Sequence, residues 1–156
     1  PQCPARVPGT AVFFAGQPKG APVPLLHNLK HNRVLHERNI VLTILTDRIP
    51  YVAKDSRIEI KDLSHGFFRI IAHFGFMEAP TIGEVIECCA MKDFMIEELK
   101  TSFFLGRETI ICTGKPGMAR WREHLFVAMS HHAQTPAQFF RLPVNRIVEL
   151  GGRVEI

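Results

Sequence analysis

Residues 25–47, with the sequence LLHNLKHNRVLHERNIVLTILTD, decide the fold of this chain. Their second half contains the most apolar run in the sequence, IVLTIL at residues 40–45, in which Thr43 alone interrupts the aliphatic residues. A strand without a polar face belongs in the middle of a sheet that is covered on both sides. The first half is rich in His, Asn and Arg, and predicts a short helix and a charged turn. We therefore expect a central strand that follows a polar helix.

The elements around this strand predict an α/β sheet. Residues 10–14 form a short apolar strand, and a loop rich in Gly and Pro then leads into the helix near Leu25. Strand, helix and strand make a βαβ unit with parallel strands. Alternating residues predict an antiparallel hairpin at the sheet edge, with strands at 58–61 and 68–74 joined by residues 63–66. We therefore predict a single α/β domain, with helices packed on a mixed and mostly β-sheet core.

The second half of the chain predicts further helices and short strands. Thr81 followed by Glu84 is a capping-box pattern, which indicates the start of a helix. Apolar residues 82, 85, 86, 89 and 91 should share one face of it. Residues 92–100 fit either a continuation of this helix or an irregular connection.

Short strands are also expected near the C-terminus. Candidates lie at residues 102–105 and 109–112, with a charged turn at residues 106–109 between them. Helical spacing of apolar residues predicts a helix over residues 118–132, whose apolar stripe should cover the sheet. The tail offers edge-strand candidates at residues 146–149 and 153–156.

Composition predicts one globular domain. The 156 residues are 46% hydrophobic and 22% charged, which is enough for one buried core. Residues 1–8 contain several prolines and are predicted to be a linker, so that the domain covers residues 9–156. No window approaches the ~20 apolar residues of a membrane-spanning helix, and the start resembles no signal peptide, so this chain alone should be soluble. The net charge of +4 is dispersed, which argues against nucleic-acid binding.

The cysteines predict neither a disulfide framework nor a zinc ribbon. Cys3, Cys88, Cys89 and Cys112 make no C-x-x-C pair, and the adjacent Cys88 and Cys89 should point to different sides of a helix. We expect reduced and mostly buried thiols. A nucleophilic Cys needs a nearby His and an orienting group. Cys112 could meet His124 or His131 only through the fold, so a structural buried thiol is favoured and no catalytic residue is predicted.

The polar helix and turn could also be a metal site. His27 and His31 are spaced i, i+4, as in many zinc sites, and His36 and Glu37 follow closely. However, the sequence has no second dense cluster of ligands. Helix capping, pairing with Glu37 and contact with a neighbouring subunit are the favoured interpretation, and we predict no metal and no cofactor.

Anion binding is a further possibility with a structural alternative. Residues 16–20 and 114–117 are Gly-containing loops with a Lys, and each connects a strand to a helix, where anions often bind. Neither loop has the spacing of a phosphate-binding motif, so plain turns are favoured. Arg107 suits a carboxylate or a phosphate, but an ion pair with Glu108 or Glu37 is the preferred interpretation.

Five blocks of sequence are distributed along the chain. They are PGTAVFFAG at 8–16, HNLKHNRVLHERNIVLT at 27–43, GFMEAP at 75–80, TSFFLGRET at 101–109 and LPVNRIVELGGRVEI at 142–156. In these blocks and in their order, the chain resembles the cytoplasmic C-terminal domain of the Kup/HAK/KT potassium uptake permeases. The resemblance covers nearly the whole chain.

The resemblance implies a non-enzymatic part of a membrane transporter. Permeases of this family are held to couple potassium entry to protons, through transmembrane helices that this sequence lacks. It implies a domain on the cytoplasmic side of the inner membrane, which would assemble the transporter as a homodimer and regulate it together with the membrane domain of the same polypeptide. Related transporters are thought to carry domains resembling universal stress proteins, some of which bind adenine nucleotides or cyclic di-adenosine monophosphate.

The polar residues after Pro24 and the Arg at 107 are candidates for such a role. We predict that contacts to a regulatory ligand or to a second subunit come from His27, Asn28, Lys30, His36, Arg38 and Arg107. The alternative is a free-standing soluble α/β protein that binds a nucleotide or acts as an enzyme. That alternative needs convergent acid, base or phosphate-binding groups, and the sequence offers scattered ones.

Overall fold

The computed structural model describes residues 4–111, 121–122, 125, 128–129 and 135–155, with the backbone alone at 108–111 and 152–155. The strands of this part are β1 (Ala5–Phe14), β2 (Val34–Asp47), β3 (Ile58–Asp62), β4 (Phe67–Gly75), β5 (Thr101–Ile111) and β6 (Ile147–Glu155). The helices are α1 (Val23–His31), α2 (Ile82–Ala90) and the short α3 (Pro136–Phe139). Short 3-10 turns occupy Lys54–Ser56, Glu98–Lys100 and Val144–Arg146.

The described strands form a single mixed sheet in the order β3-β4-β2-β1-β5-β6. Neighbouring strands are parallel, except that β3 at one edge is antiparallel to β4. β1, α1 and β2 form the predicted βαβ unit. β3 and β4 form the predicted hairpin, with residues 63–66 as its loop. The fold is therefore a single α/β domain with a mixed sheet, which confirms the predicted fold class.

Strand β2 lies in the middle of the sheet, as its apolar run predicts. Leu42 pairs with Phe14 of β1 on one side and with Ile70 of β4 on the other. Residues 39–43 are buried without interruption. Such a run requires cover on both faces of the sheet.

Helices α1 and α2 cover opposite faces of the sheet. Alternation along β1 directs Ala11 and Phe13 to a cluster that contains Leu25 of α1, and directs Val12 to a cluster that contains Val85 of α2. The rings of Phe13 and Phe104 stack in the α1 cluster, with their centroids 4.7 Å apart. We call these two sides of the sheet the α1 side and the α2 side.

Strands β1 and β2 start earlier than predicted. β1 begins at Ala5 rather than at residue 10, inside the segment predicted as a linker, and residues 5–7 pair with residues 34–36 of β2. The charged turn expected between the helix and Ile40 is consequently strand from Val34 onward. The ladder outweighs the turn propensity of these polar residues because both strands gain backbone hydrogen bonds. The division into linker and domain stays a prediction.

Strands β5 and β6 are each continuous where two short strands were predicted. Arg107 was assigned to a turn at residues 106–109, but it pairs with Gly151 within the parallel β5–β6 ladder. Likewise the two candidate strands of the tail are the single strand β6. Gly and charged residues suggested turns there, and the wrong assignment arose because strand pairing between distant segments overrides such local preferences.

Helix α2 has the predicted N-cap, because the Thr81 hydroxyl accepts a hydrogen bond from the backbone N–H of Glu84 at 3.4 Å. The helix ends at Ala90, and residues 92–100 form an irregular connection with a 3-10 turn rather than its continuation. Met91, predicted on the apolar face, is 57% exposed because it lies beyond the helix end.

The prediction of reduced, buried thiols is confirmed for Cys88 and Cys89, which are both free and buried in α2, whereas Cys3 and Cys112 lie outside the described residues. Neighbouring helical residues differ by about 100° in direction, and the buried stripe of this helix is wide enough for both. Burial raises the pKa of Cys88 and raises that of Cys89 to about 12. Both are therefore unreactive thiols at neutral pH.

The helix predicted over residues 118–132 is only partly within the described residues. Trp121, Arg122, Leu125, Ala128 and Met129 are helical. The expected packing of their apolar stripe on the sheet is wrong, because the side chains of Trp121, Leu125 and Met129 are 64%, 51% and 64% exposed. Spacing determines which residues share a helix face, but it does not determine what that face contacts. The rest of that helix and the loop at residues 114–117 lie outside the described residues.

A buried ion pair joins the loops that follow β2 and β4. The Glu78 carboxylate accepts hydrogen bonds from the backbone N–H groups of Gly75 at 2.6 Å and Val52 at 3.0 Å, and it pairs with the Arg57 guanidinium. Arg57 is 4% exposed, donates to the Val52 carbonyl and lies over the Phe74 ring. Burial alone would raise the pKa of Glu78, but the backbone donors and Arg57 outweigh it and hold this pKa below its ordinary value.

We expect the substitution Glu78→Gln to destabilise the domain, because the buried Arg57 guanidinium keeps only the more distant and more exposed Glu84 carboxylate, at 3.7 Å, among its described counter-ions. The expected loss of unfolding free energy is about 2 kcal/mol. Urea unfolding of the variant and of the original chain measures this loss. The control is Glu97→Gln, which breaks an exposed pair with Lys100 at 2.7 Å and should cost less than about 1 kcal/mol. Equal losses in the two variants would contradict the structural role of Glu78.

Candidate functional site

Three of the predicted contact residues lie on α1, and they have different environments. Asn28 is buried, and its side chain donates to the Val34 carbonyl at 2.9 Å and accepts from the Asn32 side chain at 2.8 Å. It closes the turn from α1 into β2. His27 is half-buried and Lys30 is exposed.

The i, i+4 pair of histidines does share a helix face. The ring centroids of His27 and His31 lie 5.9 Å apart. Within the described part of the chain, no group of three or more His, Cys, Asp and Glu residues is arranged to hold a metal ion. The pair therefore lacks further ligands among these residues.

His36 and Arg38 lie on opposite sides of the sheet. The His36 ring meets the edge of Phe104, which belongs to the α1 side. The Arg38 guanidinium lies 4.2 Å from the ring centroid of Phe94 on the α2 side and donates to the Met95 carbonyl at 2.7 Å. Arg38 thus anchors the irregular segment after α2.

An irregularity in the pairing of β1 with β2 explains why His36 and Arg38 lie on opposite sides of the sheet. The register between β1 and β2 shifts after Val7, where Gly9 has a φ of 106°. On β2, the Asn39 side chain accepts from the backbone N–H of His36 and donates to its carbonyl, at 3.2 and 2.7 Å. Regular alternation does not hold across such a shift, so sequence spacing cannot place His36 and Arg38.

Arg107 pairs with Glu149 of β6 at 3.2 Å, and not with Glu37. An ion pair was the preferred interpretation, and Glu149 replaces Glu37 as the partner because the β5–β6 pairing was not foreseen. The side chain of Glu108, the other expected partner, lies outside the described residues. The Arg107 side chain is 60% exposed, so this pair contributes little to stability. The predicted contact residues therefore do not converge on one site within this chain.

A cleft of about 640 Å³ lies instead at the carboxyl end of β1, beside the middle of β5. Its apolar wall includes Phe14, Ile44, Leu105 and Phe140, and the rings of Phe14 and Phe140 stack with centroids 5.4 Å apart. The opposite wall is the loop of residues 16–21, with Lys19. Among the described lining residues, Lys19 is the single charged side chain and no carboxylate is present.

The cleft lies where the chain changes direction across the sheet. From β1 the chain continues through α1 to β2 on one side, whereas β5 and β6 lie on the other side of β1. Open α/β sheets bind ligands at this point, beyond the carboxyl ends of the strands. The loop at residues 16–20 was recognised from the sequence, but the apolar wall was missed because it depends on the strand order.

These features define a doubly wound α/β domain with a cleft at its switch point. The comparison with known families identifies it further: residues 8–156 match the family described as "K+ potassium transporter C-terminal domain", and the chain belongs to that family. No helix within the described residues has the length and apolarity needed to cross a bilayer.

Curated relatives agree with this assignment. The chain is 53% identical to the "Probable potassium transport system protein Kup 2" of Chromobacterium violaceum, over 98% of this chain and 25% of that protein. It is 52% identical to the "Probable potassium transport system protein Kup" of Myxococcus xanthus, over 98% and 23%. The chain spans about a quarter of the length of these relatives. No solved structure matches it.

Burial lowers the pKa of His36 from its ordinary value of 6.5, and its Nδ1 has no hydrogen-bond partner among the described residues. The unfolded chain therefore binds a proton near pH 6.5 that the folded chain does not, so His36 destabilises the fold as the pH falls below that value. We expect His36→Phe to reduce the fall in melting temperature between about pH 7.5 and about pH 5.5. An equal fall in melting temperature in the variant and in the original chain would contradict this environment for His36.

Proposed function

We propose that this chain is the cytoplasmic C-terminal domain of a potassium transporter that takes up potassium together with protons at the inner membrane. The domain assembles the transporter as a dimer and regulates it, and it does not conduct ions. The observation that carries the proposal is the match of 98% of this chain to about a quarter of each relative named as a potassium transport protein. The remaining three quarters of each relative are long enough to contain an ion path.

Regulation by a ligand is part of the proposal. The ligand is an adenine nucleotide or a cyclic dinucleotide, and the cleft between β1 and β5 receives it. Apolar rings on one wall and a single cation on the other suit a flat base carrying a phosphate. A bound ligand changes transport only through different affinities for two states of the transporter.

Removal of this domain from the full-length transporter tests the assignment. We expect the truncated protein to transport potassium more slowly and to lose its dimer, because the ion path remains while the assembling domain is absent. Rubidium uptake by a potassium-uptake-deficient host measures transport, and light scattering of the detergent-solubilised protein measures assembly. A truncated transporter that is dimeric and as fast as the intact one would overturn the proposal.

The exposed predicted contact residues allow a milder test. Lys30→Ala and Arg107→Ala should weaken dimer assembly, because each would remove a contact to the second subunit. Both side chains are exposed, so neither change disturbs the core and a loss of assembly would report on the interface. Asn28 is unsuitable because it holds the α1–β2 turn. Lys61→Ala, on the exposed β3 edge strand, is the matched control. Unchanged assembly and uptake in both variants would remove these residues from the interface.

A further inference from the structure

The loop of residues 16–21 is held from behind by side chains of the sheet. The Arg69 guanidinium donates to the carbonyls of Pro18 at 2.9 Å and Gly20 at 2.8 Å. The Thr43 hydroxyl donates to the carbonyl of Gln17 at 3.2 Å. Arg69 lies on β4 and Thr43 on β2, so neither belongs to the loop that it holds.

These contacts come from the side of the sheet that is opposite to the apolar wall of the cleft. Leu42 and Ile70 belong to the α2 cluster, so the adjacent Thr43 and Arg69 extend to the α1 side. Phe14, Ile44 and Leu105 of the cleft wall pack on the α2 side. The loop therefore lies between Arg69 and the cleft.

Peptide geometry then orients the free N–H groups of the loop. All described peptide bonds are trans, so the N–H that follows a carbonyl points away from it. Because Arg69 holds the Pro18 and Gly20 carbonyls, the N–H groups of Lys19 and Ala21 point to the cleft side. Lys19 and Ala21 line the cleft, whereas Pro18 and Gly20 do not. Neither N–H donates to an acceptor within the described residues.

We propose that the N–H groups of Lys19 and Ala21, with the Lys19 ammonium, form a phosphate-binding subsite of the cleft, and that Arg69 is its positioning residue. With the nearby carbonyls turned away, the loop offers donors and a positive charge, and the described lining residues include no carboxylate that would repel a phosphate. The start of α1 adds little, because Pro22 and Pro24 lack an N–H. A phosphate ester on a flat heteroaromatic ring fits both walls.

Arg69 is suited to this task because it is an arginine. Its planar fork can hold two carbonyl oxygens at a fixed separation, whereas a lysine ammonium on a flexible stem cannot fix both in the same way. Arg69→Lys keeps the charge but should release one carbonyl. The loop N–H groups would then lose their common direction, while the apolar wall would be unaffected.

The test compares the binding of AMP, adenosine and inorganic phosphate to the 156-residue chain by titration calorimetry. We expect AMP to bind more tightly than either fragment, because it uses both walls. Lys19→Met and Arg69→Lys should each weaken AMP binding by about tenfold and leave adenosine binding unchanged. Lys100→Met is the control: this exposed lysine lies just before β5, pairs with Glu97 and does not line the cleft, so the variant should bind AMP normally. The selective loss for AMP separates positioning of the phosphate from a general loss of structure.

Several results would overturn the subsite. They are an absence of AMP binding, equal affinities for AMP and adenosine, or AMP binding that is unchanged in both Lys19→Met and Arg69→Lys. If Arg69→Lys does not fold, Thr43→Val replaces it as the second single variant beside Lys19→Met. AMP binding that is unchanged in both of these variants would then overturn the subsite. Phosphate binding as tight as that of AMP would overturn the role of the ring.

The subsite gains its regulatory meaning from the proposed function, and the two can fail separately. Suppose that Lys19→Met abolishes AMP binding but potassium uptake by the full-length transporter does not respond to nucleotide. This result would support the subsite and overturn its role in regulation. Nucleotide-dependent uptake that persists in a full-length Lys19→Met and Arg69→Lys transporter would retain regulation and overturn the subsite.

Discussion

The buried strand β2 is the constraint on which the rest of the structure depends. Its residues 39–43 are buried without interruption, so every backbone donor and acceptor there requires a partner in another strand. β1 supplies these partners on one side and β4 on the other. Because β2 has no polar face, both faces of the sheet must also be covered, and α1 and α2 provide that cover. The cleft exists because β1, paired to β2 on one side, also pairs to β5 on the other.

Arginines on the sheet or beside it hold the loops at the carboxyl ends of the strands. Arg57 with Glu78 joins the loops after β2 and β4, and Arg69 holds the loop after β1. The chemistry differs between the two. Arg57 is buried with a carboxylate, so its contribution is mainly to stability. Arg69 binds neutral carbonyls, so its positive charge is not cancelled by an acid at these contacts. It thus orders the cleft wall without introducing a negative charge there.

The parts of the fold with local signals could be predicted from the sequence. The apolar run of β2, the hairpin loop at residues 63–66 and the Thr81 cap each depend on neighbouring residues, and all were found. The continuity of β5 through Arg107 could not be found, because Gly106 and the adjacent charges favour a turn until β6 pairs with them. The cleft was missed for the same reason. Its loop has a local signature, but Phe14, Leu105 and Phe140 come together only through the strand order.

The position of β1 between β2 and β5 also affects how the chain must fold. β1 can pair with β2 through a local βαβ unit, but its other edge pairs with residues 101–104 of β5. During synthesis from the N-terminus, this edge therefore stays open until most of the chain has been made. An open edge with apolar residues favours pairing with other chains, and such non-local contacts also slow folding. Within this domain, the N-terminal half should thus need a chaperone more than the C-terminal half.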